Sequence, residues 1–180
     1  MRICIDPGHG GNDSGAIADN PFPYQEKEFN LTFSLVLEKS LRELGHSVVM
    51  VRRSDHSVSL EARASFANRL NADLFVSIHA NAAKNPGIEG MEVFHFPGSD
   101  EGHLVADYVL GNMIAVFPDH RNRGVKEANF TVLRLTLMPA ILIECEFLTN
   151  PTQLLFLIDS QDQTRLANAI AIGLNEYIFI

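Results

Sequence analysis

The sequence predicts an α/β fold: an open, twisted, mostly parallel six-stranded sheet with helices on both of its faces. Short apolar runs alternate along the chain with longer amphipathic patterns, which is typical of strands and helices that alternate in such a sheet. The chain has 180 residues and is 46% hydrophobic and 20% charged, so it can bury a complete core. It contains no linker, internal repeat or low-complexity tract, and we expect residues 1–180 to form a single domain.

Six short apolar runs are the predicted strands. The first of them leads directly into a glycine-rich turn, and the second is too apolar to have a solvent-facing side. In chain order the predicted strands are Arg2–Asp6, His46–Val51, Leu74–Ile78, Met91–Phe96, Phe130–Leu135 and Ala140–Glu146.

Apolar residues at helical spacing predict the helices between these strands. Phe29–Leu44 has its apolar residues three and four positions apart and is stopped by Gly45. Asn150, which is followed by proline, has the sequence of a helix N-cap. The other helices are predicted at about Leu60–Leu70, Leu104–Val116 and Thr164–Tyr177.

Charge and composition exclude several classes of function. Lys and Arg total 14 and Asp and Glu total 22, which gives a net charge of −8 with neutral histidines. An acidic chain of this kind does not favour a nucleic-acid partner, because binding a phosphate backbone depends on basic groups that displace its counterions. No apolar run approaches the ~18 residues of a membrane span. The two cysteines, Cys4 and Cys145, are too few for a disulfide framework and are predicted to be buried free thiols.

Polar residues lie at the ends of three predicted strands. Asp6 to His9 follow the first strand, His79 follows the third, and Glu144 with Glu146 ends the last. In an open, mostly parallel sheet, ligands bind beyond the carboxyl ends of the strands. We therefore expect a functional site at this edge of the sheet.

The glycine-rich loop after the first strand holds a histidine. Residues 8–13 match neither the dinucleotide-binding pattern nor a P-loop. Glycines on both sides of His9 let the backbone turn sharply and can hold the imidazole where a metal ion approaches it. The alternative is an ordinary turn with an exposed histidine.

A second histidine and a carboxylate would complete a metal site. Catalytic zinc usually has three protein ligands, and two histidines with a glutamate are a common set. His79 is the second candidate donor, although a single histidine at a strand end is more often structural. Glu26 and Glu28 are both candidates for the carboxylate, and the alternative is that they only complement the helix dipole.

Glu144 interrupts a buried strand. Burying an ionised carboxylate there costs on the order of several kcal/mol of folding free energy unless the group is paired or lies near a metal ion. Beside a zinc ion it can act as general base toward water. The alternative is a buried salt bridge to one of three basic residues, Arg123, Lys126 or Arg134. Glu146, two residues on, is predicted to lie on the same face of the strand.

The remaining histidines have no matched partner in the sequence. We expect them to be surface residues or locally satisfied ones, and they are His46, His56, His95, His103 and His120. No Gly-x-Ser-x-Gly elbow is present, which argues against a serine hydrolase.

Four motifs in order resemble the zinc-dependent N-acetylmuramoyl-L-alanine amidases of the third amidase type. They are the segments 5–16 (with Asp6, His9 and Asp13), 26–31, 77–81, and 123–126 continued at 139–144. The resemblance covers nearly the whole chain. It implies that Glu26, rather than Glu28, is the third metal ligand.

The resemblance implies a zinc-dependent enzyme of peptidoglycan. One catalytic Zn²⁺ would be held by His9, Glu26 and His79, and Glu144 would be the general base. The reaction would be hydrolysis of the amide bond between N-acetylmuramic acid and L-alanine. Asn81 and Arg123 are candidates for orienting the substrate. The alternatives are another metal-dependent amide hydrolase or deacetylase on the same scaffold, or a non-catalytic wall-binding module.

Two features depart from the family pattern or from its secreted members. Glu146 stands where the family has glycine, and we expect it either to raise the pKa of Glu144 by like-charge repulsion or to face a cation. No signal peptide precedes the first strand, which suggests a phage endolysin or an excised autolysin domain that acts at the cell wall. A monomer is expected, and a separate wall-binding module can supply targeting because anionic wall polymers repel the charge of −8.

Overall fold

The computed structural model describes residues 1–178 and has a six-stranded main sheet beside a two-stranded one. The strands are β1 (Arg2–Pro7), β2 (Ile17–Ala18), β3 (Tyr24–Gln25), β4 (Ser47–Met50), β5 (Leu74–Asn81), β6 (Met91–His95), β7 (Asn122–Glu127) and β8 (Ala140–Phe147). The helices are α1 (Glu26–Glu43), α2 (Leu60–Arg69), α3 (Asp100–Val116), α4 (Thr131–Leu135), α5 (Pro151–Ile158) and α6 (Ser160–Ile178).

The main sheet has the strand order β4-β1-β5-β8-β6-β7. The first four strands in this order run parallel to one another. Strand β6 is antiparallel to β8 and parallel to β7, so these two strands run the other way. The predicted α/β class with a mostly parallel sheet is confirmed. The carboxyl ends of β1, β5 and β8 therefore meet at one edge.

Helices cover both faces of the sheet, as predicted. On one face α1, α3, α5 and α6 bury their apolar sides in the larger core cluster. On the other face α2 and the short α4 pack in a smaller cluster. Successive side chains of strand β1 point into the two core clusters in turn. Ile3 and Ile5 belong to the larger cluster and Cys4 to the smaller one.

One predicted strand is wrong. Residues 130–135 contain the helix α4, and the sixth strand of the main sheet is β7, Asn122–Glu127. Val132 and Leu133 are adjacent and both buried, which a strand with one buried face does not allow. Strand β7 lies at the sheet edge and is only half buried, so its sequence is polar and lacks an apolar run.

The helix predictions hold with small shifts at the ends. Helix α1 begins at Glu26, α3 begins at Asp100 and α6 begins at Ser160, each earlier than the apolar spacing indicates. Asn150 caps α5 as predicted, because its side chain accepts hydrogen bonds from the backbone N–H groups of the first turn. Cys4 and Cys145 are buried free thiols. Within residues 1–178, none of the helices has the length and apolar character that crossing a bilayer requires.

Candidate active site

A cleft of about 580 Å³ opens at the carboxyl ends of β1, β5 and β8. His9, His79 and Glu144, predicted from three separate strand ends, all line it. Asp6 and Arg63 form part of its wall. The parallel strands bring together residues that are distant in sequence, as the sheet topology predicts.

His9 is held in a strained loop conformation. Its φ of 59° lies in the left-handed region, which non-glycine residues rarely adopt. Its Nδ1 lies 2.8 Å from Asp13 Oδ2 and its Nε2 lies 3.1 Å from Glu26 Oε2. Gly8 has to be a glycine, because a Cβ there would lie 2.3 Å from the ring of His79. The loop thus packs one imidazole closely against the other.

Two buried arginines donate hydrogen bonds to the backbone of this loop. Arg63 of α2 donates to Asp6 Oδ1 at 2.7 Å and to the carbonyl oxygen of His9 at 2.6 Å. Arg52 donates to the carbonyl oxygen of Gly8 at 2.8 Å. Neither residue is among those predicted from the sequence. A signal was available for Arg63, which lies beside the small inward-facing residues of a predicted helix.

Glu26 lies between the two histidines. Its Oε1 is 2.8 Å from His79 Nδ1, and its Oε2 also accepts a hydrogen bond from the Ala16 N–H at 2.9 Å. Burial opposes ionisation of this carboxyl, but the hydrogen bonds with His79 and His9 outweigh that effect and lower its pKa below the ordinary value. The carboxylate is therefore ionised at neutral pH.

The same contacts act on His9. Burial lowers its pKa, yet Glu26 and Asp13 outweigh the burial and raise the pKa above the ordinary histidine value. The negative charge of Glu26 therefore stabilises a positive charge between the two rings. It would stabilise a metal cation at this position in the same way.

These three residues can hold a metal ion. One donor atom each from His9, Glu26 and His79 lies within 4.8 Å of the others. Two imidazoles and one carboxylate are a zinc-type donor set, and Asp13 orients His9 from behind, as carboxylates often do for histidine ligands. Glu28, the other candidate, is exposed and outside this group. The donor chemistry fits a divalent ion.

Glu144 faces the cleft between two strands. It is the register partner of His79 on β5 and of Glu92 on β6. In the described part of the chain its Oε2 is buried and has no hydrogen-bond partner. Burial, followed by the charges of Glu26 and Glu92, raises the pKa of Glu144 well above the ordinary value. Such a carboxyl is suited to take up a proton.

The salt-bridge alternative for Glu144 is not what the structure contains. Arg123 and Lys126 both pair with Glu92 instead. Arg134 donates to the side chain of Asn129. Glu92 was missed because it stands in the apolar run at 91–96, although an acid in a predicted buried strand is the same signal that identified Glu144.

Glu146 does not lie in the cleft. It is fully buried and accepts hydrogen bonds from the Gly90 N–H at 2.7 Å and from His120 Nδ1 at 2.9 Å. The pairing of β5 with β8 shifts register after His79, so the alternation expected from a regular strand does not continue to this residue. Of the two alternatives for Glu146, the one in which it raises the pKa of Glu144 is wrong, since Glu26 and Glu92 supply the like charges.

Asn81 and Arg123 meet at Glu92. Asn81 Nδ2 donates to Glu92 Oε1 at 2.6 Å, and Arg123 Nε donates to Glu92 Oε2 at 2.8 Å. The guanidinium of Arg123 also lies over the ring of Phe147, 4.9 Å from its centroid. Neither residue is in the wall of the cleft. Both side chains therefore lie beside Glu92, the cross-strand partner of Glu144, and do not line the cleft that contains the metal ligands.

Comparison with known proteins shows a consistent relationship. A family profile described as N-acetylmuramoyl-L-alanine amidase matches residues 3–176. The amidase CwlM of Bacillus licheniformis is 41% identical over 152 residues, covering 83% of this chain and 58% of that protein. The crystal structure of an N-acetylmuramoyl-L-alanine amidase from Clostridium difficile 630 superposes with a TM-score of 0.95 at 38% identity, covering 99% of this chain and 97% of that one. The amidase AmiC2 of Nostoc punctiforme superposes with a TM-score of 0.92 at 35% identity, covering 100% and 98% of the two chains.

Proposed function

The chain belongs to the N-acetylmuramoyl-L-alanine amidase family, and we propose that it uses one Zn²⁺ to hydrolyse the bond between N-acetylmuramic acid and L-alanine. It is a peptidoglycan amidase, and its substrate is the bacterial cell wall. The proposal concerns which residues carry out this reaction. The observation that carries it is the Glu144 carboxyl, whose buried Oε2 has no hydrogen-bond partner within residues 1–178, beside His79 and the cluster of three donor groups.

His9, Glu26 and His79 would hold the ion. The buried, ionised Glu26 and two imidazoles supply the charge and the donor types that zinc prefers. When bound, zinc supplies a Lewis acid that polarises the carbonyl oxygen and lowers the pKa of water to about 7. Asp13 fixes the orientation of His9 through its Nδ1.

Glu144 would move the proton. Its carboxylate accepts a proton from the attacking water as the new C–O bond forms. The same proton then passes to the nitrogen of the departing L-alanine as the C–N bond breaks, which leaves a free amine and a free lactyl carboxylate. The raised pKa of Glu144 favours the first half of this transfer, because it makes the carboxylate a stronger base toward the attacking water.

Asn81 and Arg123, which lie outside the wall of the cleft, are proposed to orient the parts of the substrate that extend beyond it. Their shared hydrogen bonds to Glu92 fix both side chains beside the strand that carries Glu144. Alanine at either position is expected to raise KM more than it lowers kcat, since neither group is assigned a bond to the reacting atoms.

The proposal also includes the place of action, the oligomeric state and the means of targeting. We place the activity at the cell wall, with residues 1–180 acting as one catalytic domain and as a monomer. The charge of −8 disfavours direct adhesion to anionic wall polymers, so a separate wall-binding module would supply targeting.

A single substitution tests the assignment of the base. Glu144→Gln keeps the shape of the side chain but cannot accept the proton, so turnover should fall by about 10²–10⁴-fold while zinc content is unchanged. Purified peptidoglycan is digested, and the new L-alanine amino termini are counted by labelling and mass spectrometry. Full activity of the variant would show that another group is the base. Release of acetate without new amino termini would identify a deacetylase, and wall binding without either product a non-catalytic module.

A further inference from the structure

The buried amide of Asn30 lies between two elements that carry metal-ligand candidates. Asn30 belongs to α1, one helical turn after Glu26, and is fully buried. Its Nδ2 lies 3.2 Å from Glu26 Oε1 and 3.2 Å from the carbonyl oxygen of Gly8, the residue that precedes His9. One amide group therefore joins the helix that supplies Glu26 to the loop that supplies His9.

The two partners of this amide fix the direction in which it points. A backbone carbonyl and an ionised carboxylate can only accept hydrogen bonds, so the NH₂ group of Asn30 has to face them. Its Oδ1 is buried on the other side and has no hydrogen-bond partner within residues 1–178. A buried acceptor without a partner opposes folding. The two donated hydrogen bonds are therefore what this side chain contributes.

Three neutral donors hold the carboxylate of Glu26 in addition to the histidines. The backbone N–H of Ala16 donates to Oε2 at 2.9 Å, and that of Ala80 donates to Oε1 at 3.2 Å. The third donor is Nδ2 of Asn30, which in the described part of the chain is the one neutral side chain that donates to Glu26. A glutamate side chain has several rotatable bonds, so its oxygens keep one position only where such contacts remove that freedom.

We propose that Asn30 is a positioning residue for the metal centre and holds Glu26 and the His9 loop in the geometry that binds the ion. This inference rests on the proposed function, in which His9, Glu26 and His79 hold Zn²⁺. Asn30 is not a ligand itself, because the nitrogen of an amide has no lone pair free for a metal. Groups that orient metal ligands typically change metal affinity by about 10–100-fold when they are removed.

Removal of this amide should leave the fold intact. The carbonyl oxygen of Gly8 also accepts from Arg52 at 2.8 Å, and Glu26 Oε1 keeps its hydrogen bond from the Ala80 N–H. Neither acceptor is left without a partner, and the unpaired Oδ1 is lost together with the amide. Asn30→Leu keeps the branched carbon skeleton and has no donor. It therefore separates the positioning of the ligands from the folding of the domain.

The test measures zinc affinity and does not depend on activity. Tag-free protein is stripped of metal, and its dissociation constant for Zn²⁺ is measured by competition with a chromophoric chelator. Asn30→Leu should bind Zn²⁺ about 10–100-fold more weakly than the parent protein. Asn30→Ala, which also lacks the donors but cannot overfill the space, should weaken binding to a similar degree.

Ser34→Ala is the matched control. Ser34 lies one turn after Asn30 on α1, is fully buried, and has a hydroxyl without a hydrogen-bond partner among residues 1–178. This variant should bind Zn²⁺ as the parent does. Co²⁺ bound in place of Zn²⁺ reports the ligand geometry, so its visible bands should shift in Asn30→Leu and stay unchanged in Ser34→Ala. Circular dichroism checks that each variant is folded.

The outcomes separate this inference from the metal assignment on which it rests. Glu26→Ala is measured in the same series, and zinc binding that survives it would refute the proposed metal site together with the role of Asn30. If Glu26→Ala loses the ion while Asn30→Leu keeps the parent's affinity and cobalt bands, the role of Asn30 alone is wrong. Equal weakening by Asn30→Leu and Ser34→Ala, or weakening by Asn30→Leu but not by Asn30→Ala, would reveal a packing effect and would also overturn it.

Discussion

The molecule has two histidine pairs with the same ring separation and different surroundings. His9 and His79 have ring centroids 4.9 Å apart, and so do His95 and His103. The first pair is joined by the buried carboxylate of Glu26, which contacts both rings. The second pair is joined by a direct hydrogen bond between its rings. Distance between histidines alone therefore does not define a metal centre.

The two histidine pairs also differ in how firmly the surrounding residues hold them. His9 rests on a loop whose backbone oxygens accept from two buried arginines, and Gly8 allows the rings to approach. His103 lies on a solvent-facing side of α3 and contacts Asp107 one turn away. We expect changes at the first pair to have large effects and changes at the second to have small ones. A rigid, buried carboxylate at the first pair is suited to a permanent ion.

The largest effect is expected at Glu26. Glu26→Ala removes the group that joins the two rings, so zinc binding at this site and turnover should both be lost. Glu28→Ala is the matched control, because Glu28 is an exposed acid of the same helix turn. Zinc content and release of amino termini from peptidoglycan are the readouts. Equal activity of the two variants would remove Glu26 from the site.

A large loss of stability is expected at Arg63. Arg63→Ala leaves the buried side chain of Asp6 without its ionic partner, and breaking a buried pair in this way costs about 3–5 kcal/mol. Denaturant unfolding measures the change. Asp6→Asn in the same chain should restore part of the loss, because the uncompensated charge is gone. If Arg63→Ala unfolds at the parent's denaturant midpoint, the loop does not depend on this pair.

Glu144 is expected to reduce the stability of the metal-free protein at neutral and higher pH. Its pKa is raised in the folded state, so the folded state holds the proton to higher pH than the unfolded state does. Stability from this group is therefore lost as pH rises above the ordinary value of about 4.3. Glu144→Gln has no such loss, and its advantage over the parent should be absent near pH 4 and grow toward pH 8. Chemical denaturation of both proteins across that range tests the sign. An advantage that shrinks with rising pH would contradict it.

The smallest effect is expected at the second pair. His103→Ala changes an exposed side chain, so stability should move by no more than about 0.5 kcal/mol. Turnover measured with one equivalent of zinc should equal that of the parent. A loss of turnover as large as that of Glu26→Ala would mean that the two pairs are coupled, and the comparison between them would fail.

The sequence predicted the parts of the fold and site that depend on strong local patterns. His9, His79 and Glu144 each follow or interrupt an apolar run, and the topology of a parallel sheet brings such positions to one edge. Glu26 came only from the resemblance, because spacing alone could not separate it from Glu28. The proposed roles of all four residues stay predictions until they are tested by mutation.

The missed features depend on contacts between distant parts of the chain. Edge strand β7 is half exposed and polar, so no apolar run marks it, while the apolar residues of α4 fit a strand as well as one helical turn. Glu146 leaves the expected face because the β5–β8 register shifts, which side-chain alternation cannot foresee. Arg63 and Glu92 are buried charges whose oppositely charged partners are at least 31 residues away in sequence.

The most direct test of the catalytic assignment is anomalous diffraction at the zinc edge from crystals of the zinc-loaded protein. We predict a strong peak within about 2.0–2.2 Å of one donor atom each from His9, Glu26 and His79, with the Glu144 carboxyl nearby but not bonded to the ion. A fully occupied peak elsewhere, with none between these three residues in an active preparation, would contradict the account.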